Sequence, residues 1–273
     1  MTMSGNLLII LLVSNSRLLL SPMYFFLGHL SFCDFLFTAN IVPNMIHLTL
    51  KEGTNISFLG CFTQFYIFGC CTTAECYLLT VMSYDRYLAI YSPLRYVSIM
   101  PFKRCLHLVV SSWLFSFLVV LISLVLLATL DFCDPLIDHY YCDFSPIVKL
   151  SCTDTSAIEL ETYLVTGFIV LLPFVFIVVT YIYIFFTIFA VPSKTRQKAF
   201  STCSSHLAVV CSYYGALIII YLAPSNGLNT NKVISLLYTV GTPLFNPIIY
   251  SLRNQEIRKV FSQLYAVIKK HVL

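Results

Sequence analysis

The sequence predicts an all-α membrane protein, a bundle of seven transmembrane helices. Hydrophobic residues make up 59% of the 273 positions and charged residues only 10%, whereas about a quarter of a soluble domain is charged. A spanning helix needs about 20 predominantly apolar residues. Uncharged stretches of that length recur along the chain, for example from Leu106 to Leu130 and from Thr162 to Ser193. Six spans meet this criterion, and a seventh is partial.

The partial span comes first, at residues 1–16. Because about 16 residues at 1.5 Å each reach only about 24 Å, we expect it to be the inner portion of a longer helix whose outer portion lies upstream or is lost in a truncated product. It lacks the basic start and small-residue cleavage site of a signal peptide. The other spans are predicted at residues 22–49, 57–91, 104–129, 160–190, 198–222 and 231–252.

Two further segments are predicted between and after the spans. A long loop, residues 130–159, joins the fourth span to the fifth and is expected on the outer side. Residues 253–266 follow the last span with Ile257, Val260 and other apolar residues on one face and Arg258 and Lys259 off it. This pattern is typical of a short helix lying on the membrane lipid.

The distribution of basic residues predicts the orientation. All but three of the 16 Lys and Arg residues follow the first, third, fifth and seventh spans, and the exceptions are Lys51, Lys149 and Lys232. Cytoplasmic loops carry an excess of Lys and Arg, so the C-terminus is predicted to be cytoplasmic. The net charge of +4 then reflects topology, and no nucleic-acid partner is needed to explain it.

Only four of the 11 cysteines are expected at the oxidising outer face, where disulfides persist: Cys61, Cys133, Cys142 and Cys152. Four cysteines permit three pairings, and the spacing alone does not choose among them. A zinc site is the alternative, but no His/Cys pair there has ligand-like spacing.

Two carboxylates, Asp34 and Glu75, lie inside apolar spans. An ionisable group at this depth is costly and usually faces the bundle interior or a wet cavity. One interpretation is two protonated acids packed against hydroxyls such as Ser31 and Thr72. We favour a shared polar site that holds water or a cation such as sodium, since no base within the spans balances the two acids.

Two motifs stand at the ends of spans. Asp85-Arg86-Tyr87 closes the third, and Asn246-Pro247 with Tyr250 lies in the seventh. Alone, the first could be a solvated helix end, and one proline in a membrane helix is unremarkable. Together, in this order, they resemble the rhodopsin-like G-protein-coupled receptors.

Within that family the chain is similar to the odorant receptors. The similarity is carried by four blocks in the expected order, namely 22–27, 82–96, 198–207 and 243–254, and the stretches 139–143 and 149–154 look like the tetrapod-type class. Three features depart from the pattern: Tyr91 stands where the family usually has Cys, the loop at 192–198 lacks the Gly often seen before its basic residues, and the outer tail with its glycosylation acceptor is absent. Asn55 begins the only remaining glycosylation sequon, close to the membrane.

The resemblance implies a function: binding of a small volatile odorant, activation of a heterotrimeric stimulatory G protein of the olfactory type, and a rise in cyclic AMP at the plasma membrane. It implies disulfides Cys61–Cys142 and Cys133–Cys152. Asn6 would join Asp34, Glu75 and Asn246 in the polar core, with sodium as the one ion considered and no other cofactor. The residues implied in switching and G-protein coupling are Asp85, Arg86, Tyr87, Tyr181, Asn246, Pro247 and Tyr250.

The odorant is expected among the outer halves of the third, fifth, sixth and seventh spans. Helical spacing and the resemblance together favour inward-facing residues: Phe65, Phe68, Gly69, Thr72, Thr73, Val165, Thr166, Ile169, Tyr214, Leu217, Ile218, Tyr221, Leu236 and Thr239. The set is mostly apolar with a few hydroxyls, as small-ligand sites tend to be. It contains no carboxylate or base, which argues against a charged amine ligand.

Other classes fit less well. A channel or transporter predicts repeat symmetry and a polar pore, and neither is found. A retinal-binding protein needs a lysine in the last span, and Val233 to Leu252 contains none. An enzyme is disfavoured because no nucleophile–base pair or metal-ligand cluster lies within one bilayer depth. A rhodopsin-like receptor for peptides or lipids stays open and would be distinguished by ligand screening.

Overall fold

In a computed structural model the chain is almost entirely helical. The structure describes residues 1–16, 19, 21–50, 57–133, 141–190, 193–222, 237–253 and 257–263. The helices in chain order are α1 (Thr2–Asn15), α2 (Pro22–Leu50), α3 (Phe58–Tyr91), α4 (Pro93–Ile99), α5 (Phe102–Leu127), α6 (Phe144–Val148), α7 (Ser156–Phe189), α8 (Ser193–Leu222) and α9 (Thr242–Arg253). A π-helical turn, Leu237–Gly241, leads into α9. In these ranges the only β-pairing is one bridge between Phe132 and Ser151.

Among the described residues, four helices are long and apolar enough to cross a membrane: Pro22–His47, Phe58–Tyr91, Phe102–Leu127 and Ser156–Phe189. Within the described ranges, Thr2–Asn15 and Cys203–Ile218 are shorter apolar helices. The lengths agree with the physical requirement, since 26 residues at 1.5 Å each span about 39 Å against a hydrocarbon core of about 30 Å. The chain is therefore a multi-pass helical membrane protein.

Two helices begin earlier than predicted, because polar residues before the apolar span are also helical. α7 begins at Ser156 and α8 at Ser193, four and five residues before the predicted starts. α8 accommodates basic residues in its first two turns because Lys and Arg are good helix formers. The predicted span at 231–252 is described only from residue 237, and the predicted helix at 253–266 only at 257–263, where it is helical.

Two short helices occur in segments that were predicted as loops. α4 begins with Pro93 in its first turn, where the missing proline N–H costs no hydrogen bond. α6 begins after Asp143, whose carboxylate accepts a hydrogen bond from the Phe144 N–H at 2.8 Å. Helix caps of this kind need only one or two residues, too few to produce a periodic apolar pattern.

α3 lies at the centre of the bundle and packs against α2, α5, α7 and α8. Two-thirds of its apolar span is buried, against 22% of the span in α5. The outer faces of α5 and α7 expose large apolar side chains such as Leu118 at 61% and Phe168 at 56%. Because water would make such surfaces unfavourable, they are the faces that contact lipid.

Candidate functional site

One end of the bundle, which we call the disulfide end, carries both pairs of cysteines that the resemblance implies. Cys61 at the start of α3 is joined to Cys142, and Cys133 is joined to Cys152. The second pair is flanked by backbone hydrogen bonds, from the Cys133 N–H to the Leu150 oxygen and from the Cys152 N–H to the Asp131 oxygen. The loop is thus closed on itself and tied to the central helix.

A buried glutamine fixes the same loop from below. The Gln64 side chain accepts a hydrogen bond from the Cys142 N–H at 2.9 Å and donates one to the Asn40 oxygen at 3.0 Å. The Asn40 amide donates in return to the Gln64 backbone oxygen at 2.9 Å. Gln64 therefore holds α2, α3 and the loop together at one point, 2% exposed. The sequence analysis did not single it out.

A cavity of about 410 Å³ lies beneath this loop. Ten of the fourteen residues predicted to bind ligand line it: Phe65, Phe68, Gly69, Thr72, Thr73, Val165, Thr166, Ile169, Leu217 and Ile218. The cavity is lined mainly by apolar side chains with a few hydroxyls, and its volume is within the usual range for small-molecule sites.

α5, which was not predicted to contribute, forms part of the cavity wall through Val119, Val120 and Ser123. The seventh span was predicted to contribute, and its residues 231–236 lie outside what the structure describes. Thr239 of the π-helical turn is buried but does not line the cavity. The reason is the close approach of α3 to α5, which brings the cavity to the α5 side of the bundle.

Of the remaining three predicted ligand residues, the side chain of one is described by the structure and those of two are not. Tyr214 is fully buried and donates a hydrogen bond to the Cys76 oxygen at 3.2 Å, so it lies on α8 beside the cavity without lining it. Leu236 and the side chain of Tyr221 lie outside what the structure describes.

An aspartate is also among the residues that line the cavity, whereas the predicted ligand set contained no carboxylate or base. Asp143 follows Cys142 and is 8% exposed. Burial raises the pKa of this carboxyl to about 6, although the hydrogen bond from the Phe144 N–H lowers it. A buried acid of this kind can accept a hydrogen bond from a ligand or present a negative charge to it.

The polar core lies midway along the bundle, between α1, α2, α3 and α9. Asn246 donates to both Asp34 oxygens, at 2.9 and 3.2 Å, and Glu75 contacts Asp34. Asn6 donates to the Pro243 oxygen at 3.0 Å, in the turn before Pro247. Among the described residues, Glu75 Oε1 and Asn246 Oδ1 are buried without a hydrogen-bond partner.

The opposite end, which we call the Arg86 end, carries the Asp85–Arg86 pair. Asp85 is fully buried and forms an ion pair with Arg86, whose Nε lies 3.0 Å from Asp85 Oδ2. The Tyr96 hydroxyl of α4 donates to Asp85 Oδ1 at 2.6 Å. Tyr87 instead stacks on Tyr91, with ring centroids 5.2 Å apart. The carboxylate thus has two partners, of which Tyr96 was not predicted to have a role.

Tyr181 and Tyr250, which the resemblance implies in switching, are buried, with 3% and 0% of their surface exposed. The Tyr181 hydroxyl is 2.7 Å from Nδ1 of His206, and the two rings are nearly parallel, at 13°. No role was predicted for His206 on α8. The signal in the sequence that could have found it is a histidine inside a long stretch without Asp, Glu, Lys or Arg.

A helical membrane bundle with a ligand-sized cavity at one end and a buried Asp–Arg pair at the other defines the class of rhodopsin-like G-protein-coupled receptors. These are receptors rather than enzymes. Among the described residues, no group of three or more His, Cys, Asp or Glu side chains is arranged to hold a metal.

Comparison with known proteins identifies the family. The family model for "Olfactory receptor" matches residues 1–268. Human olfactory receptor 11A1 is 47% identical over 267 residues, covering 96% of this chain and 84% of that protein. Rat olfactory receptors 1468 and 1500 are 43% and 44% identical, and each match covers 83% of the relative and 94% or 93% of this chain. The chain belongs to the olfactory receptor family, and its function is odorant reception.

Proposed function

We propose that this receptor binds one small, mostly apolar odorant in the 410 Å³ cavity and activates a heterotrimeric stimulatory G protein of the olfactory type, raising cyclic AMP. The observation that carries the ligand proposal is the lining of the cavity. Aromatic and aliphatic side chains favour apolar ligands through burial, at about 25 cal/mol per Å². Thr72, Thr73, Thr166 and Ser123 supply hydroxyls that orient one polar group of the odorant.

Asp143 narrows the ligand class further. Asp143 lines the cavity, so an odorant with a hydroxyl or an amine could donate a hydrogen bond to its carboxylate. Such a bond to a charged acceptor is worth about 1.5–3 kcal/mol, enough to discriminate between an alcohol and the corresponding hydrocarbon. An amine ligand, disfavoured by the sequence alone, becomes compatible with the site.

We propose that the Arg86 end faces the cytosol of a cell whose plasma membrane holds the receptor. The exposed basic residues Arg95, Lys103 and Arg104 lie at this end, and the positive-inside rule favours the cytosol for them. The disulfides at the other end then face the oxidising exterior. This orientation places the C-terminus in the cytosol.

Activation would act on the Asp85–Arg86 pair. In the arrangement described here both Asp85 oxygens have partners, Arg86 and Tyr96. An odorant shifts the population toward an active arrangement only by binding it more tightly. Release of Arg86 from Asp85, with Tyr181 and Tyr250 rearranging beside it, would open a cleft for the G protein.

Exposed apolar residues of α4 would complete the G-protein contact. Leu94 is 98% exposed and Val97 79%, next to the Arg86 end and outside the predicted spans. Exposure of several neighbouring apolar side chains to water is unfavourable, and the surface of a partner protein would cover them. The basic helix start at Lys194, Arg196 and Lys198 would border the same contact.

The polar core would hold a sodium ion. Asp34, Glu75 and Asn246 supply carboxylate and amide oxygens, the donors that hard cations prefer, and two of these oxygens have no partner among the described residues. The ion would balance the charge of the two acids and stabilise the arrangement in which Asn246 contacts Asp34.

The coupling proposal is tested by Arg86→Gln, with Lys103→Gln as the matched control. Both remove one basic charge at the same end, but Lys103 is exposed. With odorants from a screened panel, Arg86→Gln is expected to abolish the cyclic-AMP response while cell-surface amounts stay equal, and Lys103→Gln to preserve it. An undiminished response in Arg86→Gln would refute the role. Odorant-evoked current without any G protein would instead favour a channel.

A further inference from the structure

The cavity has a wall that is also part of the outer surface of the bundle. Tyr163, Gly167 and Leu171 of α7 all line it, and their spacing of four residues places them in one stripe along the helix. Tyr163 is nevertheless 67% exposed and Leu171 44% exposed. Residues that line a cavity and remain exposed outside mark a place where the two spaces meet.

Gly167 leaves that place open. A Cβ atom built on Gly167 would meet nothing within 4 Å, so this glycine is not needed for close packing of helices. Gly69, on the other side of the cavity, is the contrast, since its Cβ would lie 2.8 Å from Val120 Cγ1. A glycine inside a helix destabilises it by about 1 kcal/mol relative to alanine. At Gly167 no closer helix packing offsets this loss.

The opposite edge of the gap is α5, through Val119 and Ser123, both only partly buried. Gly167 lies six residues beyond Glu161, the last charged residue before a long uncharged stretch. At 1.5 Å per residue this is about 9 Å deeper along α7. The gap between α5 and α7 therefore opens toward the hydrocarbon of the bilayer and not toward water.

The roof of the cavity is held differently. Asp143 and Phe144 line it, directly after Cys142, which is fixed by its disulfide to Cys61 and by its hydrogen bond to Gln64. The outer wall of the cavity is thus held by a disulfide and a hydrogen bond, whereas Gly167 leaves open space in the wall formed by α7.

We propose that the gap bordered by Gly167 and Leu171 on α7 and by Val119 and Ser123 on α5 is a lateral portal through which apolar odorants reach the cavity from the bilayer. The inference rests on the proposed function, since it takes the cavity as the odorant site. Each apolar methylene favours the membrane by about 0.8 kcal/mol, so lipophilic odorants concentrate next to the portal. Their rate of binding then depends on their concentration in lipid.

The portal is tested by thiol labelling of Thr166→Cys, a position inside the cavity, in purified receptor in lipid nanodiscs. Cys211, an exposed free cysteine, is changed to Ser to reduce background. Two probes are compared, benzyl methanethiosulfonate, which partitions into lipid, and a trimethylammonium methanethiosulfonate, which stays in water. Modification at position 166 is followed by peptide mass spectrometry, which separates it from the other thiols.

The decisive variant is Gly167→Trp, which fills the portal, with Gly167→Leu as a smaller plug and Leu172→Trp as the matched control. Leu172 follows Leu171 on α7. Its side chain is 54% exposed and does not line the cavity. We expect Gly167→Trp to slow benzyl labelling at least about tenfold, equivalent to about 1.4 kcal/mol of added barrier, Gly167→Leu to slow it less, and Leu172→Trp to leave it unchanged.

Equal benzyl labelling in all three variants, or equally fast labelling by both probes, would overturn the portal in favour of an aqueous route. Unchanged slow labelling of buried Cys33 and Cys76 verifies that each variant is folded. The readout requires no odorant and no G protein. Failure of the cyclic-AMP test would therefore leave the labelling result intact, and the two proposals fail separately.

Discussion

Substitution of Gln64 by Leu tests how the loop above the cavity is held. The change removes a side chain that accepts from the Cys142 N–H and donates to the Asn40 oxygen. The Cys142 N–H then stays buried without this partner, which costs about 1–3 kcal/mol. The Asn40 oxygen lies inside α2 and loses only a second hydrogen bond, worth about 1 kcal/mol. The hydrogen bond from the Asn40 amide to the Gln64 backbone oxygen survives. We expect a loss of about 2–4 kcal/mol in the free energy of unfolding.

The measurement is reversible unfolding of the purified receptor by SDS in mixed micelles, followed by exposure of the buried thiols. Tyr66→Phe is the control, because it removes one hydrogen bond on the exposed side of the same helix, from the Tyr66 hydroxyl to the Phe117 oxygen. That bond is worth about 1 kcal/mol at most. If Gln64→Leu costs no more than Tyr66→Phe, the loop is held by the disulfide alone and our reasoning is refuted.

Two further predictions concern the cavity wall and roof. Gly69→Ala places a methyl group against Val120 and is expected to destabilise the receptor by about 1–3 kcal/mol. Adding Val120→Ala should recover most of that loss in the same unfolding assay. Additive losses from the two substitutions would show that α3 and α5 are farther apart than this contact requires. Burial raises the pKa of Asp143 to about 6 from an ordinary value of 3.8, so the folded state binds the proton more tightly and stability is lost as pH rises through about 6. Lowering the pH from 7.5 to 5 should therefore stabilise the parent chain more than Asp143→Asn, and identical pH profiles would contradict the burial of this carboxyl.

Helical periodicity and the family resemblance together predicted ten of the residues on α3, α7 and α8 that line the cavity, but not Thr162, Tyr163, Gly167, Val170 and Leu171 of α7. In a helix the side chains at positions i, i+3 and i+4 share a face, so once the family resemblance fixed the inward face, Phe65, Phe68, Gly69 and Thr72 followed together. The α5 wall could not be found in this way. It depends on how closely α3 and α5 approach, and that distance is set by the missing side chain of Gly69 against Val120.

The loop residues of the site were beyond prediction for a different reason. Asp143 enters the cavity because Cys142 is held by a disulfide and by Gln64, two contacts between positions 78 and 81 residues apart in sequence. Single-sequence patterns carry no information on contacts of such separation. The same holds for His206 and Tyr181, whose side chains meet from different helices. The Asp85–Arg86 pair was predictable because its two members are adjacent.

Two neighbouring tyrosines connect the cavity to the polar core. Tyr213 donates to the Thr72 oxygen at 2.7 Å and Tyr214 to the Cys76 oxygen at 3.2 Å. Thr72 lines the cavity, and Cys76 adjoins Glu75 of the polar core. Helix carbonyls have two lone pairs, so these bonds can break without opening the α3 backbone ladder. Each is worth about 1 kcal/mol, which is within the typical range of allosteric coupling, about 1–3 kcal/mol. If the odorant binds in this cavity as proposed, displacing α3 from α8 at Thr72 would need only ordinary contacts to alter the polar core one turn away.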